Sequence, residues 1–124
     1  MSVPKRLVKT VLERDQYECM IAGPRCLGVA TEPDHRANRG MGGSTVLDKP
    51  HCLIAACGIC NGDKTAATGA WRAELIERGV IVEKAATNRE TALRCLYTPV
   101  VDRRGRLWFL LPGGTRVEST DPLF

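Results

Sequence analysis

A chain of 124 residues fits one domain, and at that size it buries a limited share of its surface and commonly leans on a metal or disulfide staple. Charged residues make up 26% and hydrophobic ones 44%, which excludes a disordered chain, and no apolar run approaches the roughly 20 residues of a membrane span. The net charge of +4 is evenly spread: residues 1–64 and 65–124 each hold nine Lys and Arg against seven Asp and Glu, so a nucleic-acid partner is permitted but not demanded.

The N-terminus is polar and amphipathic, without the apolar core of a signal peptide, so a cytoplasmic protein is expected. Residues 4–15 predict a helix. Leu7, Val8, Val11 and Leu12 form one apolar stripe, Pro4 suits the first helical position, and Ser2 or Val3 precedes it as the cap region. Gly23-Pro24 turns the chain back between Cys19 and Cys26. Leu27 to His35 reads as a short strand around Val29 and Thr31, and 36–50, with Gly40, Gly42, Gly43 and Pro50, as a loop. Leu53 to Ala56 is a short apolar run. Asn61 suits a helix cap, with the helix running through Ala66 and Ala67 and broken near Gly69, and Ala70 to Arg78 is a second helix stopped by Gly79.

The last third changes character. Thr87-Asn-Arg-Glu90 is a capping-box pattern that opens a short helix. Leu96 to Val101 and Arg106 to Leu111 read as strands joined by Asp102-Arg-Arg-Gly105, and Pro112-Gly-Gly114 turns the chain into a third at Thr115 to Glu118, a small β meander.

Six cysteines are present, and four form two pairs. Cys57-Gly-Ile-Cys60 lets two thiolates chelate one metal from a tight knuckle, and Cys19 with Cys26 makes a second, longer knuckle around the Gly-Pro turn. In a reducing compartment such grouping favours zinc over disulfides. Four thiolates close the coordination sphere, so this zinc is expected to be structural. Cys95 lies in an apolar run and reads as a core residue.

Between the knuckles stands Glu32-Pro-Asp34-His35, and after them Asn61-Gly-Asp-Lys64. A phosphodiester hydrolase needs an activated water and a metal that stabilises the charge on phosphate and leaving oxygen. His35 is suited to take a proton from water, and Asp34 and Asn61 offer oxygen ligands to a hard cation such as Mg2+. The two neighbours on a strand point to opposite faces, so a bend or the strand end must bring both to one site.

In the order Tyr17, Cys19, Asp34-His35, Gly42-Gly43, Leu53, Cys57-x2-Cys60, Asn61 and Lys64, roughly residues 6–66 resemble the HNH endonucleases. The resemblance implies an α+β fold: a ββα-metal core over 1–67 with a four-cysteine zinc site and an N-terminal helix. Residues 68–124 would then be a helical and β-hairpin extension packed on the same domain. It implies metal-dependent cleavage of DNA with His35 as general base and one Mg2+ or Mn2+ on Asp34 and Asn61. The family's final His is replaced by Asn61, a familiar variant. Its central Asn, which braces the catalytic His, is replaced by Cys52, and His51 and Asn38 are both candidates to take over the bracing. Arg36, Arg39, Lys49 and Lys64 flank the site as phosphate contacts, and Arg103, Arg104 and Arg106 on the hairpin turn offer a second contact. The segment 39–44 is similar to loops of small phage-encoded members. A phage source would imply a partner in the genome-packaging machinery, such as terminase. The alternative is a non-catalytic zinc-stabilised module that binds DNA or protein with a degenerate site.

Overall fold

The computed structural model describes residues 3–39 and 45–120. The expectations placed on Ser2, Gly40, Gly42 and Gly43 lie outside the described residues. Helix α1 spans Lys5–Arg14. Pro4 is its cap residue and not its first helical one, because its ψ of 142 is extended while its carbonyl accepts from Val8 N at 3.0 Å. The apolar stripe does what its spacing requires: Val11 and Leu12 are buried against Ala30, Leu53 and Ala55, with Leu7 and Val8 at the rim. The helix end is tied to the middle of the chain. Arg14 pairs with Asp15 at 2.9 Å and donates to the carbonyls of Pro50 and Leu53, while Asp15 accepts from Ala55 N at 3.0 Å.

Strand β1, Glu32–His35, pairs antiparallel with β2, Leu53–Ala56, Glu32 facing Ala56 and His35 facing Leu53. The strand expected from Leu27 is therefore shorter. Gly28 has φ +87, and Val29 makes only an isolated bridge to Glu18. All four residues of β2 are buried, as a fully apolar run requires. A 3-10 turn at Pro50–Cys52 feeds it. Helix α2, Gly58–Thr65, follows β2 directly, and its cap is Cys57, whose Sγ accepts from Cys60 N. Asn61 is thus inside the helix and not at its cap: a sulfur acceptor does the work expected of the Asn side chain.

Helix α3 spans Gly69–Glu77, and the chain reverses at Gly79 with φ +73. A Cβ there would collide with the carbonyl of Pro99, so the position must be glycine. Thr87 Oγ1 caps helix α4, Asn88–Tyr97, by accepting from Glu90 N at 3.1 Å, as the capping-box pattern requires. This helix is longer than expected and takes Leu96 and Tyr97. The strand expected from Leu96 shrinks to β3, Val100–Val101, because Pro99 forces Thr98 into extended backbone and ends the helix there. Strands β4, Leu107–Leu110, and β5, Arg116–Ser119, complete an antiparallel meander ordered β3-β4-β5.

The architecture is α+β, with four helices and two small antiparallel sheets among the described residues. Residues from both halves share one core: Met20, Ile21, Ile54 and Ala56 lie in the same buried cluster as Leu75, Val80, Val100 and Leu110. Among the described residues no helix is long and apolar enough to cross a membrane.

Candidate metal centre and cleft

The ligand atoms of Cys19, Cys26, Cys57 and Cys60 all lie within 4.8 Å of one another. In a zinc tetrathiolate with Zn–S near 2.3 Å the sulfurs stand about 3.8 Å apart, so the cluster could hold a metal such as zinc after a small contraction. Backbone N–H groups are aimed at the sulfurs. Gly23 N donates to Cys60 Sγ at 3.4 Å, Gly28 N to Cys26 Sγ at 3.3 Å and Cys60 N to Cys57 Sγ at 3.4 Å. Such donors favour thiolate over thiol. Burial opposes them and raises Cys19 and Cys60. At Cys57 burial is outweighed by hydrogen bonds from the Leu27 and Cys60 backbone and from Cys60 and Cys19, which bring it to about 7. Four thiolates packed this closely repel one another, and a dication relieves the repulsion.

The cage fixes the start of α2 over β1. Glu32 and Asp34, two residues apart on the strand, share the face toward that helix, which answers them with residues three apart. Asn61 Nδ2 donates to Glu32 Oε1 at 2.8 Å, and Lys64 Nζ donates to Asp34 Oδ2 at 2.7 Å and to the His35 carbonyl at 2.8 Å. Burial holds the Asp34 carboxyl above its ordinary value, partly offset by the Lys64 ammonium. The carboxylate therefore sits where a cation is favoured, and an ammonium already stands there.

Asp34 and His35 line one cleft of about 600 Å³, together with Arg39, Lys64, Arg72 and Lys84. The adjacent pair reaches the same space because β1 ends at His35, the requirement stated above for neighbours on a strand. His35 Nε2 is 2.8 Å from Asp48 Oδ1, and Arg39 Nη1 lies 3.4 Å from the same oxygen. Asn61 and Glu32 stand beside the cleft and not on its lining.

Other expected residues are engaged differently. Arg36 is not a surface phosphate contact: it is 1% exposed and donates to the carbonyls of Gly79, His51, Cys95 and Thr98 at 2.6–2.9 Å. Burial lowers its pKa to about 10, so it stays charged at neutral pH. Cys52 is buried among Ala37, Leu47, Val82 and Cys95. His51 is buried as well, and its Nδ1 has no hydrogen-bond partner among the described residues. Burial and the cations Arg36, Lys49 and Arg14 lower its pKa. Arg104 pairs with Glu18 at 2.7 Å, and Arg103 reaches Glu18 at 3.5 Å and Cys26 Sγ at 3.1 Å, so both lie beside the cysteine cluster.

Three residues escaped the motif reading: Arg72 and Lys84, which line the cleft, and Asp48, which is not on its lining but contacts His35. Each lies in a segment whose sequence carries no chemical pattern, and only the three-dimensional path brings it to His35. Compared with models of protein families, with curated proteins and with solved structures, the chain gives no significant match.

Proposed function

We propose that the chain is a metal-dependent endonuclease of the HNH type, hydrolysing phosphodiester bonds in DNA by nicking or by cutting both strands. The observation that carries this reading is the meeting of Asp34 and His35 in one cleft with the cations Arg39, Lys64, Arg72 and Lys84. The order β1, β2, α2, with a four-cysteine cluster clamping the start of α2, supports a ββα-metal core built on a structural zinc.

In this reading His35 takes the proton of the attacking water, and Arg39, Arg72 and Lys84 hold phosphates across the cleft. Asp34 and Asn61 would hold one Mg2+ or Mn2+; Asp34 offers an anionic oxygen and Asn61 a neutral one, a donor set suited to a hard cation. Lys64 must then leave Asp34. When bound, the cation supplies charge stabilisation at the phosphate and leaving oxygen.

A non-catalytic zinc-stabilised module that binds DNA or protein is the second reading. It is favoured by Lys64, whose ammonium occupies Asp34, and by Asn61, whose amide nitrogen is held by Glu32 beside the cleft. Plasmid relaxation with Mg2+ or Mn2+ separates the two. The nuclease reading expects cleavage by the parent and a loss of about 10²–10⁴-fold in His35→Ala, with zinc content unchanged. Absence of cleavage with every divalent metal and DNA form tried leaves the binding module.

A further inference from the structure

Asp48 stands two residues before the turn that feeds β2, and its carboxylate meets His35 across 13 positions of chain. We propose that Asp48 is the positioning residue of His35: it accepts a hydrogen bond from His35 Nε2–H and so leaves the Nδ1 lone pair to face the water. The proposal rests on the reading of His35 as general base.

Three features carry it. The Asp48 side chain is only 6% exposed, and a carboxylate so deep must be satisfied. Among the described residues its side chain meets His35 at 2.8 Å and Arg39, at 3.4 and 3.5 Å from its two oxygens. An ionised carboxylate only accepts, so the proton of the short contact belongs to Nε2 and the neutral ring has Nδ1 bare. Finally, the place at which the resemblance expects a bracing Asn is held by Cys52, which packs with Leu47 and Cys95 in an apolar cluster. The histidine is instead braced from the loop ahead of it.

The experiment is ¹⁵N spectroscopy of the imidazoles in the full zinc-loaded chain, at a pH where they are neutral, beside cleavage kinetics. The chain has two histidines, so His35→Ala assigns both. The parent is expected to show His35 as the Nε2–H tautomer, Asp48→Ala a mixture of tautomers, and Asp48→Asn, whose Oδ1 still accepts, mainly Nε2–H. Asp48→Ala is expected to lower kcat about 10–100-fold with KM changed less than about twofold, and Asp48→Asn to recover part of it. A residue that merely held the loop would move KM and Tm and leave the tautomer alone. An Nδ1–H tautomer in the parent, or an unchanged tautomer in Asp48→Ala, overturns the proposal. If the parent cuts nothing, the nuclease reading falls, and the tautomer measurement still decides whether Asp48 sets the ring.

Discussion

Arg36 and Arg78 cross the molecule in opposite directions. Arg36, just past β1, donates to the carbonyls of Gly79, Cys95 and Thr98, while Arg78 donates back to those of Met20 and Ile21. Each guanidinium satisfies backbone acceptors that no regular ladder reaches, and each spans the boundary between the motif-bearing half and the rest. With a shared apolar core between them, the two halves are expected to unfold together.

Arg36→Met is therefore expected to strand three buried carbonyls and a partly buried one, costing at least about 3 kcal/mol and lowering Tm by roughly 10 °C. For the same reason a chain ending at residue 67 is expected not to fold, because it exposes Met20, Ile21 and Ile54 and strips Arg36 of its acceptors at Gly79, Cys95 and Thr98, leaving only the His51 carbonyl. Thermal denaturation and the circular dichroism of the truncated chain check both. A truncated chain with a sharp melt would show that the N-terminal half is self-sufficient.

Metal analysis tests the cysteine cluster. About one zinc per chain is expected, lost with melting cooperativity in Cys57→Ser or under a strong chelator. Cys52→Ser and Cys95→Ser are expected to keep the zinc, because neither cysteine belongs to the cluster. Equal zinc loss in all three variants would mean that the metal sits elsewhere.

Cys52→Asn, which restores the residue the resemblance expects, is now a test of packing. The amide would enter the apolar cluster of Leu47, Val82 and Cys95, so a loss of about 1–3 kcal/mol is expected, with no gain in cleavage. A gain in kcat without loss of stability would mean that an Asn there can turn toward His35.

Salt-dependent DNA binding locates the phosphate contacts. Arg72→Ala with Lys84→Ala is expected to shrink the slope of log K against log salt by about 1.8, near 0.9 per lost contact. Arg103→Ala with Arg104→Ala is expected to change it less, since both side chains face Glu18. The reverse order would put the nucleic acid across the hairpin and not in the cleft.

Acid unfolding carries a signature of Asp102. Burial pulls this carboxyl upward, but hydrogen bonds from Trp108 Nε1 and the backbone N–H groups of Arg106 and Arg104 leave it below its ordinary value. A carboxyl with a lowered folded value adds stability that is present above the unfolded value, near 3.9, and lost as pH falls through the folded one. The Tm gap between the parent and Asp102→Ala is thus expected to narrow below about pH 4. A gap independent of pH would assign the effect to packing of the turn.

What could be read in advance was local. The stripe Leu7, Val8, Val11, Leu12 and the pair Thr87 and Glu90 declare their helices within a few residues, and Cys57-x2-Cys60 declares a chelating knuckle by its spacing alone. What escaped depends on long-range placement. Asp48 looks like any loop acid until the chain brings it to His35. Arg36, next to an Asp-His pair, looks like a surface cation, and its burial follows from carbonyls 15 to 62 residues away. Asn61 looked like a cap because side-chain oxygens usually fill that place, and here the sulfur of Cys57 fills it.

Gly79 ties two distant substitutions together. Its carbonyl accepts from Arg36 Nε at 2.9 Å, and a Cβ on it would strike Pro99 and press within 3.3 Å of Arg36 Nη2. A side chain at 79 would push Pro99 away and crowd the guanidinium out of its seat. Among divergent relatives these two positions are therefore expected to covary, an arginine after the Asp-His pair accompanying a glycine 43 residues later. That distant pairing gives a signature for tracing ancestry where the cysteine spacing has drifted, and a lineage that keeps the arginine with a bulky residue at 79 must have rerouted the chain around Pro99.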